Sequence, residues 1–130
     1  MATWDDVRQA ALALPETEEL PSYGGLPRWS VRGRSLVWDR PLRGQDRAEL
    51  GAEAPDGPVL GVWVGDEGEK QALLASDPAV FFTIAHLDGY PAVLVRLDVV
   101  AVGQLRELVA DAWRLRAPKR LVKAHPDLTS

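Results

Sequence analysis

The order of segments along the chain predicts an α+β domain of two layers: a five-stranded antiparallel sheet with helices packed on one face. Three observations carry this. Apolar residues follow helical spacing at the start of the chain and again near its end. Between these helices lie short Trp-, Val- and Leu-rich stretches of strand length. One further helix signal interrupts the strands, giving the order α-β-β-β-α-β-β-α. A chain of 130 residues has the size of one domain, so residues 1–130 are read as a single unit. An apolar fraction of 46% with five tryptophans is enough to fill its core.

Thr3 is the N-cap of the first helix, with Asp6 three residues on as a capping-box partner. Val7, Ala10, Ala11 and Leu14 form the buried stripe, and Pro15 ends the helix. The acidic stretch Glu16-Thr17-Glu18-Glu19 reads as a solvated loop. Trp29-Ser30-Val31 and Leu36-Val37-Trp38 are two strands, joined by a tight turn in which Gly33 takes positive φ. Residues 40–58 form a long polar connection, with Arg47-Ala48-Glu49-Leu50 as a helical turn inside it.

Val59 to Val64 is the third strand, ended by Gly65. Asp66 caps the middle helix, whose interior holds Ala72, Leu73 and Ala75; Ser76-Asp77-Pro78 stops it. Val80 to Ala85 and Pro91 to Val99 are the last two strands, joined around Asp88-Gly89. In the last strand Val93, Val95 and Leu97 are assigned to the core, which leaves Leu94, Arg96 and Asp98 on the open face. The closing helix runs from about Gly103 to Arg116, with Leu105, Leu108, Val109, Ala112 and Trp113 as its stripe. Pro118 interrupts it, Lys119 to Ala124 adds a turn, and the tail from His125 to Ser130 is expected to be loose.

Composition excludes some chemistry. With no cysteine there is no disulfide, no thiolate metal site and no thiol catalysis. Early acids at Asp5 and Asp6 and the lack of a long apolar run speak against a signal peptide or a membrane span. The net charge is −4, but it is unevenly spread. Asp5, Asp6, Glu16, Glu18 and Glu19 crowd the first residues against Arg8. Arg28, Arg32, Arg34, Arg40, Arg43 and Arg47 outnumber Asp39 and Asp46 in 28–47. Arg114, Arg116, Lys119, Arg120 and Lys123 stand together with no acid. A negative total therefore hides basic stretches.

Several strings resemble the MmcQ/YjbR-like family. They are Ala10-Ala11-Leu12-Ala13-Leu14-Pro15-Glu16-Thr17-Glu18-Glu19, Trp29-Ser30-Val31-Arg32-Gly33-Arg34 and Ala72-Leu73-Leu74-Ala75-Ser76-Asp77-Pro78. His86-Leu87-Asp88-Gly89-Tyr90 and Ala112-Trp113-Arg114-Leu115-Arg116-Ala117-Pro118-Lys119 follow, in the family's order and over nearly the whole chain. The resemblance implies a bacterial cytoplasmic protein with a fold similar to type III secretion chaperones and the frataxin-like CyaY proteins. It implies no reaction, and it implies DNA as partner, bound through a pair of β-hairpin wings. This chain departs from the family in its acidic total and in its lengthened 40–58 connection.

The residues themselves offer four constellations. Arg32 and Arg34 flank Gly33 at a hairpin tip, where two guanidinium forks straddle a phosphate or simply stand in water. Arg28 is placed on the strand face of Arg32, and Lys119, Arg120 and Lys123 form a second basic cluster, or the usual cation bias of a helix C-terminus. The tryptophans read first as core; Trp63 is the exception, because Gly61 leaves room beside it for a partner or a second copy. His86 with Asp88 and the isolated His125 lack the spacing of a metal site, and no nucleophile-elbow string occurs. Asp5 and Asp6 are explained by the helix N-terminus rather than by iron.

The expectation is a non-enzymatic binding protein with no cofactor and no metal. DNA is the implied partner, contacted through Arg28, Arg32, Arg34, Lys119, Arg120 and Lys123. The alternative is a protein- or peptide-binding, chaperone-like module or homodimer that uses the open sheet face, with Trp63 in its patch.

Overall fold

A computed structural model describes residues 1–128. Helix α1 (Trp4–Leu12) begins with the expected capping box: the Thr3 N–H donates to Asp6 Oδ2 at 2.9 Å and the Asp6 N–H to Thr3 Oγ1 at 3.3 Å. Strands β1 (Thr17–Pro21), β2 (Pro27–Val31) and β3 (Arg34–Asp39) follow, then α2 (Gly44–Leu50), β4 (Val59–Trp63) and α3 (Glu67–Ser76). Strands β5 (Phe81–Phe82) and β6 (Ala92–Arg96) precede α4 (Val102–Arg116) and α5 (Lys119–Ala124). The class is the expected α+β, with one antiparallel sheet in the order β1-β2-β3-β4-β6-β5. No helix among the described residues is long and apolar enough to cross a membrane.

The sixth strand is β1. The acidic stretch read as a loop pairs residue for residue with β2, from Thr17↔Val31 to Pro21↔Pro27. An edge strand needs a neighbour on one side only, so it forms through backbone pairing without an apolar alternation. Its acids are put to use locally: Glu19 accepts from Trp29 Nε1 and from Arg8 Nε, both at 2.9 Å. On its other side β2 meets β3 through a bulge. Trp29 pairs with Val37 but Ser30 with Ser35, so Leu36 is the extra residue, and both Leu36 and Val37 are buried.

The main core lies between the sheet and helices α1 and α4. Val7 and Ala11 of α1, and Leu105, Leu108, Val109, Ala112 and Trp113 of α4, meet Trp29, Val31, Leu60, Val62, Val93 and Val95. This is the α4 stripe read from the sequence. Trp113 Nε1 donates to the Pro15 carbonyl at 3.0 Å and ties α4 to the end of the first helical segment.

The reverse of the sheet is not left bare, which corrects the expectation of helices on one face. The 40–58 connection folds under β4 and β6. Leu42 and Leu50 pack on Val59, Phe82, Ile84, Leu87 and Leu94. Leu94, assigned to the open face, is therefore fully buried. The connection is held in place by Asp46, itself buried, whose Oδ2 accepts from the Arg43 N–H at 2.9 Å and from Arg40 Nη2 at 3.2 Å. Glu49 also reaches across and accepts from the Ala85 N–H.

Two shorter corrections concern the C-terminal half. The strand expected over 80–85 pairs only at Phe81–Phe82, and a 3-10 turn over Ala85–Leu87 fills the hairpin. The tail expected to be loose forms a second 3-10 turn, Pro126–Leu128, with Leu128 against the main core; Thr129 and Ser130 lie outside the described residues.

Candidate nucleic-acid interface

The β2–β3 turn has two central residues, Arg32 and Gly33, with φ of 48° and 82°. Positive φ at both positions is the turn geometry that matches strand twist, and Gly33 meets it without a Cβ penalty. Arg32 adopts it while its guanidinium is clamped by Glu16: Nε to Oε1 at 2.8 Å and Nη2 to Oε2 at 3.2 Å. This bidentate pair holds the Glu16 carboxyl below the usual glutamate range, the hydrogen bond from Arg32 being the main cause.

Arg34 opens β3 opposite Val31 and is exposed. Its Nη1 donates to the Arg116 carbonyl at 3.2 Å. That oxygen belongs to the last turn of α4, where carbonyls lack intrahelical partners and a cation is favoured. The hairpin tip therefore abuts the α4–α5 junction. Arg32 and Arg120 line one open cleft of about 490 Å³ there, together with Glu16 and Pro118. Lys119, Arg120 and Lys123 are exposed on α5, and Lys119 and Lys123 are one helical turn apart. The two basic clusters, separate in sequence, stand at one end of the molecule.

Arg28 does not join them. It lies at the opposite end of β2, paired with Trp38, and its guanidinium is turned to the Pro21 carbonyl at 3.4 Å and Ser30 Oγ at 3.0 Å.

Arg116 does join them, and sequence reasoning passed over it. Its guanidinium carbon lies 4.6 Å from the centroid of the Trp63 ring. Trp63 is half-buried, and its ring also meets Trp38 at 5.7 Å with a 41° tilt. The room that Gly61 leaves is taken by Trp38: a Cβ at Gly61 would overlap the Trp38 indole. Trp63 is thus sandwiched rather than presented as an apolar patch. The one signal available in the sequence was the position of Arg116 at the C-terminal end of a strong helical stripe.

His86 is exposed in the 85–87 turn and borders a cleft of about 620 Å³ with Trp38, Asp39, Arg40 and Arg43. Burial pushes the Asp39 carboxyl up. His125 lies edge-on to the Trp113 ring at 6.3 Å. Among the described residues, no group of three or more His, Asp and Glu side chains is arranged to hold a metal ion.

Comparison with known proteins fits this architecture. The YjbR family model matches residues 12–115. The chain belongs to the YjbR family. This YjbR chain is 50% identical over 127 residues to a protein of Mycobacterium tuberculosis (strain ATCC 25618 / H37Rv) named "Uncharacterized protein Rv2570", with 95% of each chain covered. The same figures hold for "Uncharacterized protein Mb2600" of Mycobacterium bovis (strain ATCC BAA-935 / AF2122/97). Among solved structures it resembles the Deinococcus radiodurans protein DR2400, which carries the DUF419 family-model domain. The TM-score is 0.68 at 23% identity, over 99% of this chain and 89% of that one, and the likeness is one of fold.

Proposed function

We propose that this YjbR protein is a non-enzymatic, cytoplasmic DNA-binding protein that holds the phosphate backbone of a duplex against the end where the β2–β3 hairpin meets the α4–α5 junction. The observation that carries the reading is the Arg34–Arg116 hydrogen bond, because it joins two basic segments that are 82 residues apart. Arg34, Lys119, Arg120 and Lys123 are then the contacting cations, with Arg32 held back by Glu16. Phosphate contacts of this kind give affinity and orientation without reading base sequence. They also let a protein of net charge −4 bind a polyanion, since the field near the contact decides and not the total.

Fluorescence anisotropy of a labelled duplex tests the reading. Affinity should fall steeply between about 50 and 200 mM salt, as each neutralised phosphate releases counterion. Changing Lys119, Arg120 and Lys123 together to alanine should weaken binding and make the salt slope shallower by up to about three. No binding at low salt, or an affinity untouched by that triple variant and by Arg34→Ala, ends the proposal.

A further inference from the structure

Arg116 is an unusual surface arginine. Among the described residues its charge meets no carboxylate, and its Nε is buried without a hydrogen-bond partner. The other charge that bears on it is a like one, that of Arg34. Arg34 in turn has one N–H on the Arg116 carbonyl and no acid in salt-bridge contact among the described residues. Arg8, Arg32, Arg40, Arg47 and Arg114 each reach an Asp or Glu, whereas Arg28, Arg43, Arg96, Arg106 and Arg120 do not among the described residues; what sets Arg116 apart is its buried, unpartnered Nε.

Stacking on Trp63 uses the face of the Arg116 guanidinium, and among the described residues none of its in-plane donors meets an acceptor. The stack also fixes the group, because Trp63 is braced from its own side by Trp38, which is seated over Gly61. Arg34 is thus anchored on the backbone of Arg116, whose own guanidinium is immobilised on Trp63 and partly dehydrated, and no acid pairs with either among the described residues. Burial and mutual repulsion both work against this arrangement. A phosphoryl oxyanion offsets both, and the planar fork of arginine matches its oxygens.

We propose that Arg34 and Arg116, backed by Trp63, form a binding site for a phosphoryl group. The ligand chemistry is a phosphoryl oxyanion, whose source is either a free small phosphate or the backbone of a nucleic acid. The site does not depend on the DNA reading, because a free phosphate suffices to fill it.

The test is a titration of the full chain at low ionic strength, followed by the Arg116 Nε–Hε signal in ¹⁵N-resolved NMR and by calorimetry. Inorganic phosphate at millimolar concentration should move that signal saturably, as should adenosine 5′-monophosphate. Arg116→Gln and, separately, the exposed Arg34→Gln should each weaken binding about tenfold or more, while thermal melting reports that both variants fold. A response to the free phosphates assigns the site to small ligands, and it stands even if duplex DNA never binds. A response to duplex DNA alone assigns it to the nucleic-acid backbone. If neither probe moves the Arg116 signal, or if Arg34→Gln leaves the affinity unchanged, the proposal is overturned.

Discussion

Glu16 and Arg32 are the two non-glycine residues with positive φ among the described residues, at 57° and 48°, and their side chains bond to each other. Each holds a backbone conformation that L-residues rarely adopt. The ion pair links the turn before β1 to the tip of the β2–β3 hairpin. It borders the cleft that the hairpin tip shares with Pro118 and Arg120.

Because Arg32 lowers the Glu16 pKa, the pair contributes its stability at and above the ordinary carboxylate range. That contribution is lost as pH falls through the lowered value. Hairpin-tip amide signals, followed by NMR from neutral to acid pH, should move with a midpoint below that of an unpaired glutamate. Glu16→Gln should loosen the tip at neutral pH. It should also strengthen duplex binding a few-fold, since it removes a negative charge and frees Arg32. A midpoint at the ordinary value would show that the pair does not form in solution.

Gly61→Ala should destabilise the fold by about 1–3 kcal/mol, because the added methyl overlaps the Trp38 ring that packs across the strand. Urea denaturation reads this directly. An unchanged midpoint would mean that Trp38 has another place to go. The same variant should loosen the Trp38–Trp63 stack and so weaken phosphate binding.

Lys70 is 2% exposed on α3, and its Nζ donates to the Leu87 carbonyl at 2.9 Å and the Tyr90 carbonyl at 3.0 Å. It fastens the β5–β6 connection to α3. Lys70→Met keeps the length of the side chain but removes a charged donor from both carbonyls, each of which keeps one backbone N–H (Tyr90 to Leu87, Ala92 to Tyr90), so a loss of about 1–2 kcal/mol is expected. Amine-reactive labelling of the native protein should spare Lys70 while modifying exposed Lys119 and Lys123. Rapid labelling of Lys70 would contradict its burial.

Burial raises the Asp39 pKa, so this residue acts in the opposite sense to Glu16. Its contribution is fully present below the ordinary carboxylate range and is lost as pH rises through the raised value. Asp39→Asn should therefore melt at a slightly higher temperature than the parent near neutral pH, with the advantage gone in acid. A lower melting temperature at neutral pH would show that the charged form is held by partners in solution.

Arg28→Ala should leave duplex affinity and its salt slope unchanged, because Arg28 lies at the far end of β2 and is engaged by Pro21 and Ser30. A loss as large as that of Arg34→Ala would move the interface onto the sheet face.

Local chemistry was legible in the sequence. The Thr3–Asp6 box, the Asp66 cap, the Gly33 turn and the α4 stripe from Leu105 to Trp113 each depend on residues within a few positions of one another. Such signals act through backbone preference and helical or strand spacing, and they define the class and most of the elements. The tertiary structure alone decided that an acidic stretch would serve as edge strand β1, that the 40–58 connection would cover Leu94, and that Gly61 would make room for Trp38. It also decided the candidate site. Arg34 and Arg116 are 82 residues apart, and no periodicity relates them; they meet because the hairpin tip and the end of α4 fall at the same end of the sheet. Contacts of that kind arise from how elements are stacked, which a one-dimensional pattern of polar and apolar residues does not encode.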